Sequence, residues 1–432
     1  MTGSAQRDLL AEIGPMRRDL VSTGYDHAMG LLAQRFPALE IGLWPSGTEA
    51  WGWPIPDGWT FQGGSIRSES GDFAIDLAEH CLRVGSYSMP VDGHLSRDEL
   101  LQHVKTHPHL PDALPFAFHY YADRWSVGLT ALERDSLPDE RFHVTIRSER
   151  APSNLAIGEW LLVGDSEAEF VLSTHLCHPG QVSDGLSGVV TGLAVMQQLA
   201  AMPRRRFSYR LLIGPETIGA IAWLSRNEDR IGSIAGGLFL EMTGVDQPAA
   251  LQHAFDSDCW MDRALTAGFE SAERDSWQAP HRQIVGNDER QFNAPGVRIP
   301  MLSLSRAIPR SDPHAPFQAY HSSEDTVELV SEERLEQSAR TVMTMLNVIE
   351  SDYIPVGHFK GEPFLSGVGI PNDDPALLLP HRQRLMVLDY LDGTLPVSDI
   401  ARTLALPFNL VLLFVDRLVD AGLVSRKMSL PS

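Results

Sequence analysis

The sequence predicts an α/β protein built on a doubly wound, mostly parallel sheet. Between residues 155 and 350, short apolar runs alternate with segments whose apolar residues recur every three to four positions, which is typical of strands followed by helices. The length of 432 residues allows two or three domains at roughly 150 residues each. A hydrophobic content of 43% is enough for a sizeable core.

Two further modules are expected around this sheet. Residues 51–150 contain short alternating runs and many turn residues, which predicts a β-rich inserted domain. Residues 378–432 contain helical segments followed by a short wing-like run, which predicts a winged-helix domain. Residues 1–50 and 151–355 would then together form the α/β domain.

The charge balance argues against nucleic acid as a partner. The formal net charge is −21, whereas phosphate contacts require a basic surface. The helix expected from Phe408 to Leu418 has one basic residue and a broad apolar surface, and a groove-reading helix needs basic and amide side chains. The C-terminal module is therefore expected to dock or dimerise, which favours a homo-oligomer.

Several features predict a cytoplasmic protein that does not insert into a membrane. The N-terminus lacks an apolar signal segment, and no apolar run approaches the roughly 20 residues that a membrane span needs. The three cysteines, Cys81, Cys177 and Cys259, are too few and too widely spaced for a disulfide framework. This cysteine usage suits a reducing compartment.

The segment around residue 180 has the most informative pattern in the chain. Phe170–His175 is a buried-strand pattern that ends before Pro179, and Asp184 opens a helical pattern. His175 and Asp184 therefore lie where a strand passes into a helix, which is where open α/β sheets place their sites. A histidine and a carboxylate in such a loop can share a metal ion.

The same pattern recurs downstream. Tyr209–Ile213 is a strand pattern followed by Glu216, and Gly237–Leu240 is another, followed directly by Glu241. A later loop offers His321 just before a long helical segment. Because the carboxyl ends of parallel strands meet at one edge of a sheet, these residues predict a metallohydrolase site there.

The expected chemistry is that of zinc held by histidine and carboxylate ligands with one position open. Such a site lowers the pKa of its bound water to about 7, and a nearby carboxylate takes the proton. His175, Asp184 and His321 are the predicted ligands, and Glu216 is the predicted general base. Glu241 is a fourth ligand, or belongs to a second metal that shares Asp184.

These motifs resemble the zinc aminopeptidases with a phosphorylase-like α/β fold and co-catalytic metal sites. The matching segments follow the family's order over residues 155–350 and are Asp184–Gly188, Glu216–Gly219, Leu240–Gly244, Asn287–Phe292 and Tyr320–His321. The layout is more similar still to aminopeptidase-like proteins of largely uncharacterised function that carry a β-rich insertion and a C-terminal winged helix. The genes of these similar proteins often lie among those of polysaccharide or natural-product biosynthesis.

The sequence departs from the aminopeptidase pattern at two positions. Thr217 stands where these enzymes place a second glutamate, a ligand of one metal, so one zinc is expected rather than two. Cys177 stands where an aspartate would support the metal. Cys177 and His178 remain alternative ligands.

The loop at Asp288, Glu289 and Arg290 is expected to bind substrate, and Arg290 can hold a carboxylate in a bidentate pair. The resulting hypothesis is a zinc-dependent, aminopeptidase-type hydrolase of a small peptide or aminoacyl amide. Acidic residues near the metal would bind the α-amine of the substrate. Two alternatives stay open, namely a deacylase or amide-forming, cyclising enzyme of a biosynthetic pathway, and a non-catalytic binding or regulatory protein.

Overall fold

The computed structural model describes residues 1–309, 315–371 and 377–428. Part of the predicted α/β domain, residues 310–314, and the end of the predicted winged helix, residues 429–432, lie outside the described residues. Within the described ranges, every helix is too short or too polar to cross a bilayer.

The chain divides into two compact units. The first consists of Met1–Gln252 and Trp277–Ala339, and the second of His253–Ser276 and Arg340–Ser432. The domain limits expected from the sequence were 1–50 with 151–355, 51–150 and 378–432, and they stay a prediction.

An eight-stranded sheet forms the centre of the first unit. In chain order its strands are β1 (Glu40–Pro45), β2 (Asn154–Leu162), β3 (Glu169–His175), β4 (Ser208–Gly214), β5 (Ile234–Leu240), β6 (Ala249–Gln252), β7 (Ser276–Ala279) and β8 (Met301–Arg306). Across the sheet the order is β1-β2-β4-β3-β5-β8-β6-β7. Strands β4, β3, β5 and β8 run parallel. The pairs β1–β2, β2–β4 and β6–β8 are antiparallel.

The sheet is therefore mixed, and the expectation of a mostly parallel sheet holds for its four central strands only. The side-chain alternation of a strand does not depend on the direction of its neighbour, so an apolar run alone does not reveal that direction. All residues of the four central strands are buried except Ser208 and Ala235, and β3 and β4 connect through a helix, as is usual for parallel neighbours.

The helix that joins β3 to β4, Leu186–Ala201, is buried along 12 of its 16 residues, as expected for a helix that is apolar on all sides. It lies very close to the end of β5. A Cβ on Gly188 would meet the carbonyl oxygen of Leu240 at 2.0 Å, so this position of the Asp-x-x-Ser-Gly motif requires glycine. The close approach brings the loops after β3 and β5 together.

The first unit contains further helices besides the one that joins β3 to β4. Gly3–Ile13 and Thr23–Arg35 begin at Thr2 and Ser22, whose hydroxyl groups accept backbone hydrogen bonds from the first turn. The remaining helices are Arg97–Leu101, Ala131–Asp135, Ile218–Arg226, Glu289–Phe292 and the first part of Glu332–Ser351.

Residues 51–150 are rich in β-structure, as their turn-rich pattern predicted. A four-stranded antiparallel sheet contains Ala74–Asp76, Gly58–Ser68, Arg141–Ala151 and Val91–Ser96, in that spatial order. Short two-stranded pairs join Glu49–Ala50 to Trp53–Pro54 and Val104–Lys105 to Val127–Gly128. That residues 51–150 form a separate inserted domain stays a prediction.

The second unit contains the helix Trp260–Ala272 and the C-terminal helices. The C-terminal helices are the later part of Glu332–Ser351, His381–Leu388, Val397–Thr403 and Phe408–Asp420. A final strand, Val424–Lys427, pairs antiparallel with Ile354–Gly357. Three helices followed by a strand match the sequence pattern, and the winged-helix identity stays a prediction.

The apolar surface of the last helix, Phe408–Asp420, is largely used within its own unit. Phe408, Val411, Phe414, Val415 and Leu418 are buried, whereas Leu413 is exposed. This burial explains most of the broad apolar surface noted in the sequence. The expected homo-oligomer stays a prediction.

Candidate metal centre

Three side chains converge beyond the carboxyl ends of β3 and β5. His175 is the last residue of β3, and Glu241 follows β5 directly. The His175 Nε2 atom lies 3.3 Å from Glu241 Oε2 and 3.5 Å from Asp184 Oδ1. We call His175, Asp184 and Glu241 the inner group. Its three side chains are buried, and their donor atoms lie within 4.8 Å of one another.

A second group lies on the other side of the same aspartate. His321 Nε2 is 3.0 Å from Asp184 Oδ2, and His178 Nε2 is 3.9 Å from it. We call His178, Asp184 and His321 the outer group, whose donor atoms also lie within 4.8 Å of one another. Asp184 thus presents one oxygen to each group, which is the arrangement of a bridging carboxylate.

Cys177 belongs to a third possible set of donors, with His175 and His178. The Cys177 thiol accepts a hydrogen bond from the Glu216 amide at 3.2 Å and lies 3.4 Å from His178 Nδ1. Burial raises the pKa of this thiol, which disfavours the thiolate that a metal requires. The contact with Nδ1 also directs His178 Nε2 towards Asp184.

Two carboxylate oxygens of the inner group are suited to binding a metal ion because they are buried without hydrogen-bond partners among the described residues. Asp184 Oδ1 and Glu241 Oε1 are buried and have no hydrogen-bond donor among the described residues. Buried carboxylate oxygens without partners are costly, and a divalent cation would satisfy them. Imidazole and carboxylate donors are the set that zinc takes at catalytic sites.

The charges of the site are set by burial and by the histidines. Burial raises the pKa of Asp184, but the imidazoles of His178, His321 and His175 outweigh this effect and hold it below the usual range. Burial lowers the pKa of His178 to about 3, so this imidazole is charged only in acid and is neutral near pH 7, as a ligand must be. Burial raises the pKa of Glu241, and a bound cation would oppose that shift.

Glu216 lies at the side of the outer group, between the end of β4 and the helix Ile218–Arg226. Its Oε2 atom is 3.4 Å from His178 Nε2, and its Oε1 atom is 3.8 Å from Arg290 Nη2. Its side chain is 26% exposed and lines a cleft, so it can reach a bound substrate. Burial raises the pKa of Glu216, which strengthens it as a proton acceptor.

Asp288 stabilises the turn that carries Glu216 through a hydrogen bond to its backbone. Thr217 adopts a φ of 64°, and its amide donates to Asp288 Oδ1 at 2.6 Å. Ser173 Oγ donates to the other oxygen at 3.4 Å. Asp288 is buried, and burial raises its pKa to about 6.

Of the three residues expected to bind substrate, the structure places only Arg290 on the cleft wall. Asp288 lies behind the Glu216 turn. Glu289 is buried, accepts hydrogen bonds from the Asn287 amide at 3.0 Å and from Gln252 Nε2 at 3.2 Å, and has its pKa raised to about 8 by burial. The sequence shows a polar loop here, but it does not show which side chains of the short helix turn inwards.

Asp325 supports the metal-ligand loop and was not singled out by the sequence. Its buried carboxylate accepts the backbone amides of Ser183 at 2.8 Å, Asp184 at 3.0 Å and Val182 at 3.2 Å. It follows His321 by four residues, so it couples the loop of one ligand to the loop of another. The only sequence signal is an acidic residue close to a predicted ligand.

Replacing Asp325 with asparagine is expected to lower the free energy of unfolding by about 1.5–3 kcal/mol, because an amide replaces a charged acceptor of several backbone donors. Urea unfolding measures the change. Asp72→Asn, in an exposed turn, is the control and should unfold like the wild type. Equal stability of the Asp325 variant and the wild type would show that the hydrogen bonds to the Asp325 carboxylate do not contribute to the free energy of unfolding.

A cleft of about 1020 Å³ opens in front of the outer group. His178, Glu216, Arg290 and His321 lie on its wall. The segment 118–122 also lines the cleft, and the Phe116 amide donates to the His321 carbonyl oxygen at 2.8 Å. The cleft therefore gives a substrate access to the outer group.

Comparison with known proteins agrees with this architecture. A family model described as a domain of unknown function, DUF4910, matches residues 7–352. A protein of Clostridium acetobutylicum is 30% identical over 98% of this chain and 96% of its own length, and its name assigns it provisionally to polysaccharide biosynthesis with an aminopeptidase-like domain.

Two solved structures show the same fold. A crystal structure from Clostridium acetobutylicum, described provisionally as a peptidase, is 29% identical over 98% of this chain and 96% of its own, with a TM-score of 0.87. A zinc aminopeptidase from Bacillus subtilis is 14% identical over 80% of this chain and 94% of its own, with a TM-score of 0.58. The expected aminopeptidase-like α/β fold is confirmed, and the chain belongs to the DUF4910 family.

Proposed function

We propose that this protein is a metal-dependent hydrolase of a peptide or amide bond. The observation that carries the proposal is Asp184, a buried carboxylate shared by two groups of metal donors, with Glu216 beside them in an open cleft. The fold shared with a zinc aminopeptidase supports zinc as the metal. Cytoplasmic location stays a prediction.

The proposed mechanism assigns each residue of the chain a distinct task. Bound zinc would polarise the scissile carbonyl and activate a water molecule. Glu216 accepts the proton of the attacking water and returns it to the leaving nitrogen. Arg290, 3.8 Å from Glu216 Oε1, keeps this carboxylate directed along the cleft wall. Asp325 and Asp288 hold the loops that position Asp184 and Glu216.

We further propose two metal ions, in place of the single zinc expected from the sequence. That expectation rested on Thr217, which lacks a metal-binding carboxylate. In the structure Thr217 Oγ1 accepts a hydrogen bond from Arg290 at 3.3 Å, while His178 Nε2 faces Asp184. His178 would therefore supply the ligand that Thr217 does not, with His321 and Asp184 as its partners.

Replacing His178 with alanine is expected to reduce bound zinc from about two ions per chain to about one, because a histidine and a carboxylate alone make an incomplete site. Elemental analysis after gel filtration measures the change. His119→Ala is the matched control, since His119 lies on the cleft wall but outside both groups, and its zinc content should match the wild type. Full zinc retention in the His178 variant would exclude His178 as a ligand.

The function itself is tested by hydrolysis with and without metal. Zinc-loaded protein is assayed against dipeptides, aminoacyl p-nitroanilides and N-acyl p-nitroanilides. Cleavage that disappears with a chelator and returns with zinc is the expected result. A purified protein that binds no zinc after loading would overturn the hydrolase proposal and favour a binding or regulatory role.

A second candidate is deacylation in a biosynthetic pathway. Among the described residues on the cleft wall, Glu216 is the only carboxylate, so few acceptors are available for a free α-ammonium group. An N-acyl amide has no such group to bind. Cleavage of N-acyl but not of aminoacyl p-nitroanilides would favour this reaction, and amide formation or cyclisation on the same scaffold stays an alternative.

A further inference from the structure

Three arginines line the cleft in front of the metal donors. They are Arg124, Arg282 and Arg290, and Glu216 is the only acidic side chain on the described part of the wall. The chain as a whole carries 56 acidic and 35 basic residues. The cleft thus has the opposite charge balance to the rest of the protein, which marks it as a place where an anion is attracted.

Arg290 is the one of the three whose side chain makes hydrogen bonds with described residues. Its Nε atom donates to the Asn287 carbonyl oxygen at 2.9 Å, and its Nη2 atom donates to Thr217 Oγ1 at 3.3 Å. These bonds fix the plane of a side chain that is 28% exposed. Its Nη1 atom has no acceptor among the described residues, so a donor remains for a ligand.

Arg282 and Arg124 lie on the same wall, and both are exposed. Neither side chain has a hydrogen-bond or ion-pair partner within the described ranges. Arg282 also adopts a φ of 66°, a left-handed conformation that costs free energy for a residue with a Cβ. Unneutralised guanidinium groups next to a site are available for a carboxylate or phosphate oxygen.

Aromatic side chains form the other part of the cleft. Trp53, Phe118 and Tyr121 are 41%, 52% and 48% exposed, although large apolar side chains are usually covered. Trp53 packs edge-on against Tyr121 with 5.9 Å between ring centroids, and Phe118 stacks on Tyr120 at 4.6 Å. They offer an apolar surface to a ligand whose charged group is elsewhere.

We propose that the substrate carries an anionic group, a carboxylate or a phosphate, which the three cleft arginines bind while an apolar part lies on the aromatic side chains. This inference rests on the proposed hydrolase function and names its substrate class. It replaces the expectation that acidic residues bind a substrate amine, because a cationic amine would meet three like charges and one carboxylate in this cleft.

The test measures binding by titration calorimetry on the zinc-loaded protein, and chromatography of each probe after the titration shows whether hydrolysis has contributed heat. Four probes share one aromatic ring: N-acetylphenylalanine, phenyl phosphate, the neutral N-acetylphenylalaninamide and the cationic phenylalaninamide. An anionic probe is expected to bind about tenfold more tightly than the neutral amide, as charge-assisted bonds are stronger than neutral ones. The tighter of the two anions identifies the group as carboxylate or phosphate.

Variants separate the arginines from the metal, which can itself bind anions. Arg290→Gln, and the double variant Arg124→Gln with Arg282→Gln, should each remove most of this preference without loss of zinc. Arg67→Gln is the control, because Arg67 is exposed on the strand Gly58–Ser68 and does not line the cleft. Its affinities should equal those of the wild type.

The outcomes distinguish this inference from the hydrolase proposal. Equal binding of all four probes, or an anion preference that both arginine variants retain, would overturn it even if the protein hydrolyses amides. Anion binding that depends on the arginines, in a protein that hydrolyses nothing, would support it while contradicting the hydrolase function.

Discussion

Replacing Asp184 with asparagine is expected to abolish metal binding and catalysis together. The carboxylate presents Oδ1 to the inner group and Oδ2 to the outer group, so one substitution removes an anionic ligand from both. The outer group would then contain only His178 and His321, and two imidazoles without a carboxylate hold zinc poorly. We expect activity to fall by at least about 10³-fold, since the metal contributes several kcal/mol to the transition state.

Elemental analysis and initial rates on the same preparation measure this result. Asparagine has nearly the shape of aspartate, and circular dichroism shows whether the fold is kept. Asp72→Asn provides the control and should retain both zinc and activity. An Asp184 variant that kept its zinc would remove the bridging carboxylate from the proposal.

Replacing Glu216 with glutamine is expected to lower kcat by about 10²–10⁴-fold while zinc content stays unchanged. Glu216 belongs to neither donor group, but its carboxylate is the only one on the described cleft wall. Glutamine preserves the contacts with His178 and Arg290 and cannot accept the proton of the attacking water. Loss of rate without loss of metal separates a general base from a ligand.

Steady-state kinetics and zinc analysis of the Glu216 variant decide this point. Glu324→Gln is a suitable control, because Glu324 is exposed in the loop of His321 and contacts neither donor group. A Glu216 variant with the kcat of the wild type would require a different proton acceptor. Loss of zinc would instead make Glu216 a ligand.

Much of the candidate site could be located from local sequence patterns. His175 ends an apolar strand pattern, Glu216 and Glu241 each follow one within three residues, and Asp184 opens the helical pattern after His175. Strand and helix periods are local properties of the sequence. The carboxyl ends of β3, β4 and β5 meet at one edge of the sheet, where the structure brings these side chains together. Their catalytic and metal-binding roles stay proposals.

The partners of each residue could not be predicted in this way. His178 appeared as an alternative ligand, and only the fold shows its Nε2 atom facing Asp184 beside Glu216. Asp288 and Glu289 were expected on the cleft wall, but their side chains turn into the protein and hold backbone amides. Orientation within a short loop depends on the packing around it, which local sequence does not specify.

The sequence by itself determined the strand–helix alternation and the donors at the strand ends, because hydrophobic periodicity and short motifs act over a few residues. Only the tertiary structure decided the mixed strand directions of the sheet, the position of Asp184 between two groups of donors and the grouping of three arginines in the cleft. Arg124 and Arg290 are 166 positions apart in the chain. Contacts across such separations arise when distant segments pack against a common core, so they follow from the whole fold.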